Sequence, residues 1–374
     1  MSPTLDIGIR FIVEPGSFEL SEREKQQLAE LRPAGVMLRR RNFKQDSPYA
    51  EWLASYTRLL SEIRKAIGRD RIVVSVDHEG GQVHRFPAPI TRFPYPAFYA
   101  AEISAVEAVG RAMGEELQSL GVNVSFSPTA DIHSNPQNPV INQRAFGTTV
   151  DAVVAAVCPF ARALRAAGVI PCAKHFPGHG DTSTDSHVVL PCVDRSLEQL
   201  MERELKPFQA LIADGIEMIM SAHIVLPQID PSVPATLSHE VMTNLLRSRL
   251  GFKGITIADA LGMKGVTGAA TSDQLGVKAH QAGIDLLLMV GDTVTLDDAL
   301  VVKRSLERYG GSEAAHHQSL HAVEIRLRDL LSRLPQYSCR ALSEQSLASH
   351  GRLAAELGKN SQWAHFNFNP VGFT

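Results

Sequence analysis

The sequence predicts a single-domain (β/α)8 TIM-type barrel, an α/β fold with room for irregular strands, and three observations carry that expectation. Eight short runs rich in β-branched and other apolar residues recur along the chain, separated by longer amphipathic stretches that carry helix-start signals. Several runs, IVVSV, MIM and DLLLMV among them, are apolar on both alternating faces, which suits parallel strands with helices on one side and a packed interior on the other. The first strand-helix turn carries no G-x-G-x-x-G, and no G-x-x-x-x-G-K-[ST] occurs anywhere, which disfavours a doubly wound nucleotide-binding sheet.

In chain order the expected strands are 8–13, 35–38, 72–77, 122–128, 169–175, 217–223, 254–259 and 284–290. Three intervening helices begin on apparent capping boxes, Ser21 with Glu24, Ser104 with Glu107 and Ser196 with Gln199, in which the serine accepts from a backbone N–H one turn on and the acidic or amide side chain reaches back. Two others close on glycine, 151–167 before Gly168 and 239–250 before Gly251, where a left-handed cap is cheap because there is no Cβ. Residues 1–335 are expected to form the barrel, and the polar stretch 336–374 a helix-bearing tail without a domain of its own.

Composition narrows the functional classes. At 374 residues, 44% hydrophobic, 21% charged and with a formal net charge of -3, the chain reads as a soluble enzyme and not as a disordered or nucleic-acid-coating protein. No apolar run is long enough for a signal peptide or a membrane span, so a cytoplasmic protein without membrane association is expected. The four cysteines, Cys158, Cys172, Cys192 and Cys339, form no C-x-x-C pair, which suggests neither a zinc ribbon nor a disulfide framework. The sequon Asn123-Val124-Ser125 falls inside an expected strand and is discounted.

In such a barrel the chemistry sits at the C-terminal ends of the strands, and polar residues do collect there. Strand three ends in Asp77 followed by HEGGQVHR, strand four is followed by Asp131, Asn142 and Arg144, strand five ends in Lys174 and His175, strand six in His223 and strand seven in Asp259. The densest segment, KHFPGHGDTSTDSH from Lys174 to His187, admits three readings. It is a solvated turn, a metal site built from His175, His179, Asp181, Asp185 and His187, or an acid/base loop in which Asp185 orients His187 and raises its pKa. Pro177 and Gly178 between the first two histidines deny the metal reading a one-face helical pair. Asp259 either caps the next helix or acts with a proton donor across the barrel mouth. Asp77 and Arg85 suit hydroxyl or acyl oxygens as well as a plain turn. The run Arg39-Arg40-Arg41 is a solvated loop or a holder for an anionic substrate. Trp52 and Trp363 lie away from these motifs, so no aromatic platform for long polysaccharide is expected.

The segments VDHEGGQVHRF, NQRAFG, AKHFPGHGDTSTDSH, PATLS and IADALGMKGV, in this order and spacing, resemble the single-domain bacterial β-N-acetylhexosaminidases of glycoside hydrolase family 3, over about residues 5 to 335. The resemblance implies release of terminal β-linked N-acetylglucosamine with retention of configuration through a covalent glycosyl-enzyme. It implies Asp259 as nucleophile, His187 with Asp185 as acid/base, and Asp77, Arg85, Arg144, Lys174, His175, His223 and Met263 as substrate contacts. It also implies peptidoglycan recycling, with a small saccharide or muropeptide as the partner. No metal, cofactor or nucleic acid is expected, and the chain is expected to be a monomer. His78 stands where the family more often has Gln, and Gln82 where it more often has Arg, which puts substrate preference in doubt. Members with a second domain draw their acid/base from it, so in a one-domain chain the loop histidine carries that role. The alternative from another class is a metal-dependent amide or phosphate hydrolase using the loop 174–187, which loss of activity in EDTA would favour. A non-catalytic sugar-binding barrel is a third reading.

Overall fold

The computed structural model of the protein describes residues 5–183, 190–263, 266, 270–336 and 338–359. Its strands are β1 Phe11–Val13, β2 Gly35–Leu38, β3 Val73–Val76, β4 Val124–Ser125, β5 Ile170–Phe176, β6 Met218–Ser221, β7 Ile255–Ile257 and β8 Leu287–Met289. All pair in parallel in the order β7-β6-β5-β4-β3-β2-β1-β8, and a bridge from Ile257 to Leu286 joins the two ends into a ring. The expected run 35–38 coincides with β2 and 169–175 lies one residue before β5, while the other six runs are longer than their ladders, as where Asp77 leaves β3 for Lys174 at the rim. At the start of the first run, Ile7–Arg10 form a 3-10 turn instead of strand. Gly8 there lies so near Leu31 that a Cβ would sit 1.9 Å from its carbonyl oxygen.

The helices are α1 Glu22–Leu31, α2 Tyr49–Ile67, α3 Ile103–Ser119, α4 Val150–Ala166, α5 Leu197–Glu202, α6 Lys206–Ala213, α7 Glu240–Arg249 in π-helical form, α8 Ser272–Ala282, α9 Leu296–Ser312, α10 Ala314–Arg333 and α11 Glu344–Lys359. The boxes at Ser21 and Ser196 form as expected. The one at Ser104 does not: α3 starts at Ile103 with Glu102 as its cap. A turn closed by Glu102 N–H on the Tyr99 carbonyl delivers the chain into the helix early, so Ser104 is already within the first turn.

Strand alternation sorts the core into two layers. Phe11, Val13, Val36, Val74, Val76, Ala173 and Leu287 face the helices. Ile12, Met37, Val73, Val124, Phe126, Cys172, Met218, Ile255 and Leu288 fill the interior, where Leu327, Leu330 and Leu331 of α10 join them. Asn123 bonds the Val74 N–H and the Ile72 carbonyl, which accounts for a buried sequon. The foot of the ring is tied by charge. Fully buried Asp285 accepts from Arg247 and Arg326, each at 2.6 Å, and Arg10 donates to the backbone carbonyls of Ile284 and Asp285. No helix among the described residues is long and apolar enough to cross a membrane.

Candidate active site

At the opposite end of the ring, residues from β3, β4 and β5 converge on one buried carboxylate. Glu79, 2% exposed, receives Arg144 Nε and Nη2 at 2.7 and 2.9 Å, Lys174 Nζ at 2.5 Å and the Thr129 hydroxyl at 3.3 Å. Lys174 also donates to Asp77 at 2.6 Å, and Arg85 stands 3.9 Å from the second Asp77 oxygen. Burial alone would raise the Glu79 carboxyl, but Arg144 and Lys174 outweigh it and hold the group well below the usual carboxylate range. Burial likewise works against the Lys174 ammonium and the Arg144 guanidinium, and the acidic neighbours overcome it, so both stay charged. The Arg85 side chain is buried too, and its Nε has no protein acceptor among the described residues.

The turn carrying these groups is shaped by glycine. Gly80 has φ +100° and Gly81 φ +55°. A Cβ on Gly80 would sit 2.4 Å from the Pro94 carbonyl oxygen, and one on Gly81 2.4 Å from the Tyr95 ring. Segment 86–95 therefore roofs the turn closely. Beneath it His78 and His84 lie with ring centroids 4.9 Å apart beside Phe86. Burial pushes both imidazoles below their ordinary value, His84 to about 4, so the position where the family more often carries Gln is a neutral aromatic filler.

A second buried carboxylate organises β5. Asp131, fully enclosed, accepts from the His175 backbone N–H at 3.1 Å, the His175 ring at 2.7 Å and the His179 backbone N–H at 2.6 Å. Burial raises its carboxyl, yet the two histidines more than compensate and leave it lowered. The pairing of β5 with β6 shifts register between Ala173 and Phe176, at the strand's functional end. The stem that follows is tightly packed. His179 bonds Thr182 through its ring, and Asn138 reaches the His179 carbonyl. A Cβ on Gly180 would meet the Ile132 carbonyl oxygen at 1.6 Å and Gly178 takes φ +127°, so close approach and a left-handed backbone account for the two glycines of FPGHG. Asp185 and His187 lie outside the described residues.

Asp259, half-buried two residues beyond β7, accepts from the Ala260 N–H at 2.7 Å. The carbonyl of that same Ala260 faces His223 Nε2 at 3.1 Å, while His223 Nδ1 meets Thr236 of PATLS at 2.8 Å. His223, expected to touch substrate, thus holds the peptide beside Asp259. Met263 is buried in the following turn, its N–H on the Ala260 carbonyl. Two residues past the C-terminal end of β7 in an all-parallel ring, Asp259 lies at the same end of the barrel as the β5 stem. Among the described residues no three His, Cys, Asp or Glu groups are arranged to hold a metal ion. Sequence reasoning gave Glu79 no role beyond the turn and Asp131 none beyond its place after strand four, although one gathers Lys174 and Arg144 and the other fixes His175. Their partners lie 65 and 44 residues distant, and the only local signal was an acidic residue just past a strand end.

Known proteins resemble the chain over most of its length. Residues 7–321 match the model of the glycosyl hydrolase family 3 N-terminal domain. The chain is 36% identical over 292 residues to a β-hexosaminidase of Neisseria meningitidis serogroup C, covering 75% of this chain and 78% of that protein. It is also 36% identical to β-hexosaminidase A of Pseudoalteromonas piscicida, of whose length it spans only 52%. Among solved structures, the NagZ of Neisseria gonorrhoeae in complex with N-trifluoroacetyl-D-glucosamine superposes with a TM-score of 0.73 at 28% identity, covering 94% of this chain and 97% of that one. A family 3 β-N-acetylglucosaminidase from Paenibacillus gives 0.84 at 28% identity, over 96% and 69%. The eight-stranded barrel, the charged rim and these matches together make the chain a member of glycosyl hydrolase family 3 and a glycoside hydrolase.

Proposed function

We propose that the chain is a retaining exo-β-N-acetylglucosaminidase acting on cell-wall muropeptides. The observation that carries the proposal is the buried network Asp77–Lys174–Glu79–Arg144, with Arg85 beside it, on the rim that also bears Asp259. A carboxylate held open by a lysine accepts two sugar hydroxyls, and an arginine with an unused buried N–H donates to a hydroxyl or acyl oxygen. In this reading Asp77, Arg85, Lys174 and His175 touch the sugar, while Arg144 and His223 act chiefly by holding Glu79 and Ala260. Met263 flanks the sugar from the turn after β7.

Asp259 attacks the anomeric carbon while His187, paired with Asp185, gives its proton to the departing oxygen. Neutral His187 then takes a proton from water, which cleaves the glycosyl ester and frees Asp259. An imidazole with an ordinary pKa near ~6.5 suits both steps at neutral pH, and it adds no second negative charge beside the acetamide. Arg39 and Arg41, which reach Glu14 and Asp292 at the mouth, suit an acidic aglycone. Residues 1–335 are the catalytic barrel and 336–374 an appended tail. The protein works as a cytoplasmic monomer without a cofactor.

Trapping with a 2-fluoro or 5-fluoro N-acetylglucosaminide followed by peptide mapping tests the mechanism. Label on Asp259 is expected, and label elsewhere or none overturns it. Product analysis with and without phosphate separates hydrolysis from phosphorolysis, since Asp259 forms the same intermediate in both.

A further inference from the structure

The stretch beyond the part matched by the family model is stitched to the barrel along one side. Thr57 donates to the Cys339 sulfur, the Arg340 N–H bonds the Ser119 carbonyl, and the Leu342 N–H bonds the Tyr49 hydroxyl. The run ends in α11, where His350, 8% exposed, meets Glu116 Oε1 through Nδ1 at 2.9 Å and Glu115 Oε2 through Nε2 at 3.3 Å. With both ring nitrogens facing carboxylates the imidazole is a double donor, and those bonds, Glu116 first, hold its pKa above the ordinary value.

Glu116 is completely buried in α3, and its other oxygen accepts the Thr91 N–H at 3.0 Å. Thr91 belongs to the segment that roofs the sugar-site turn. Two residues on, the Phe93 carbonyl accepts the Gly81 N–H at 2.8 Å, and Gly81 lies between Glu79 and Arg85. The same segment is pinned at its start by Trp52 Nε1 on the Ala88 carbonyl. One chain of direct contacts therefore runs from the tail helix through Glu116, Thr91 and Phe93 to the residues that face substrate.

We propose that His350 is a positioning residue for the glycosidase reaction: through Glu116 and Thr91, the C-terminal helix sets the height of the turn that carries Asp77, Glu79 and Arg85. This rests on the sugar site proposed above. Without the imidazole, buried Glu116 faces the Thr91 N–H alone and turns toward solvent to recover a partner. The roof then loosens, and ground-state sugar contacts weaken while the chemistry at Asp259 is untouched.

The test uses full-length His350→Ala and His350→Gln, the amide of the latter restoring one donor to Glu116. On an aryl β-N-acetylglucosaminide, His350→Ala is expected to raise KM roughly tenfold with kcat within about twofold of the parent, and His350→Gln to recover most of the loss. Amide hydrogen exchange at Thr91 and Gly81 is expected to quicken in His350→Ala and to return in His350→Gln. Unchanged exchange at both amides with an unchanged KM overturns the proposal, even if melting temperature falls. A fall in kcat equal to the fall in kcat/KM overturns it too. If the parent itself turns over no N-acetylglucosaminide, the functional reading fails, and the exchange data still decide the link between the tail and the turn.

Discussion

Glu79→Gln isolates the charge at the centre of the rim while keeping side-chain shape. Three donors converge on this carboxylate at 2.5 to 2.9 Å. An amide has one acceptor oxygen, and its NH2 group points at Arg144 or Lys174, both already donors. Two cations stay buried with Asp77 as the one remaining carboxylate of the cluster. Breaking one partner out of a buried ion pair costs about 3 to 5 kcal/mol. With an unfolding entropy of about 2.1 cal/mol/K per residue, a chain of this size has ~0.8 kcal/mol/K, so the melting temperature should drop by about 4 to 6 °C. Activity should suffer more: Lys174, left to Asp77 alone, draws that carboxylate off its alignment, and kcat/KM should fall by about a hundredfold. Calorimetry and steady-state kinetics on one preparation read both. The double variant Glu79→Leu with Arg144→Met removes the cation left without a carboxylate, Lys174 keeping Asp77, and should be less destabilised than Glu79→Gln alone. A melting temperature within about 1 °C of the parent, or a double variant worse by the sum of the singles, would refute the reasoning.

Other outcomes follow from the proposed mechanism and from the burial of particular side chains. Asp259→Ala should abolish turnover of aryl β-N-acetylglucosaminide, whereas His187→Ala should lose least with a good leaving group that needs no proton; equal losses across a leaving-group series would count against His187 as the acid. Burial keeps His84 and His179 neutral down to about 4 and His280 down to about 3. The unfolded chain takes these protons near ~6.5, so it binds more protons than the folded chain below that pH and stability falls with acidification, each of the first two contributing up to about 3 kcal/mol by pH 4. Urea midpoints measured between these limits should drop steadily; a flat profile would show that these rings are protonated in the fold. His350 has the opposite sign. Its raised pKa gives stability that is fully present below ~6.5 and is lost as pH rises through the folded value, a loss absent in His350→Gln. Gly80→Ala, at φ +100° and 2.4 Å from the Pro94 oxygen, should cost at least about 2 kcal/mol by chemical denaturation; a neutral result would mean the roof can lift.

The barrel was legible because its signal is local: strands buried on both faces read as apolar runs, and polar residues at their ends, such as Lys174, His175 and Asp259, mark the rim. Element ends were less so. The Ser104 box fails because the chain enters α3 from a turn at Tyr99 to Glu102, a tertiary approach that no spacing encodes. Residues 239–250 read as an ordinary helix closing on glycine, and Gly251 does take φ +73°, but the π-helical path of α7 leaves no period in so short a stretch. At the site, the residues proposed to face substrate resemble a family and were named, whereas Glu79 and Asp131 work through partners brought together only by ring closure. His350 had no motif at all, since its importance arises from where α11 comes to rest on α3.

The knot of charge around Asp285 also bears on how the protein is made. Arg10 and Arg247 leave the ribosome before that aspartate, but Arg326 follows it by 41 residues. A nascent chain halted just after β8 already holds every strand, yet the enclosed carboxylate of Asp285 still lacks one of its cations, and Leu327 and Leu330 are missing from the hollow they plug. Completion of the ring therefore waits on α10, and chains released short of it should lean on chaperones or fall to proteases, however complete their sheet.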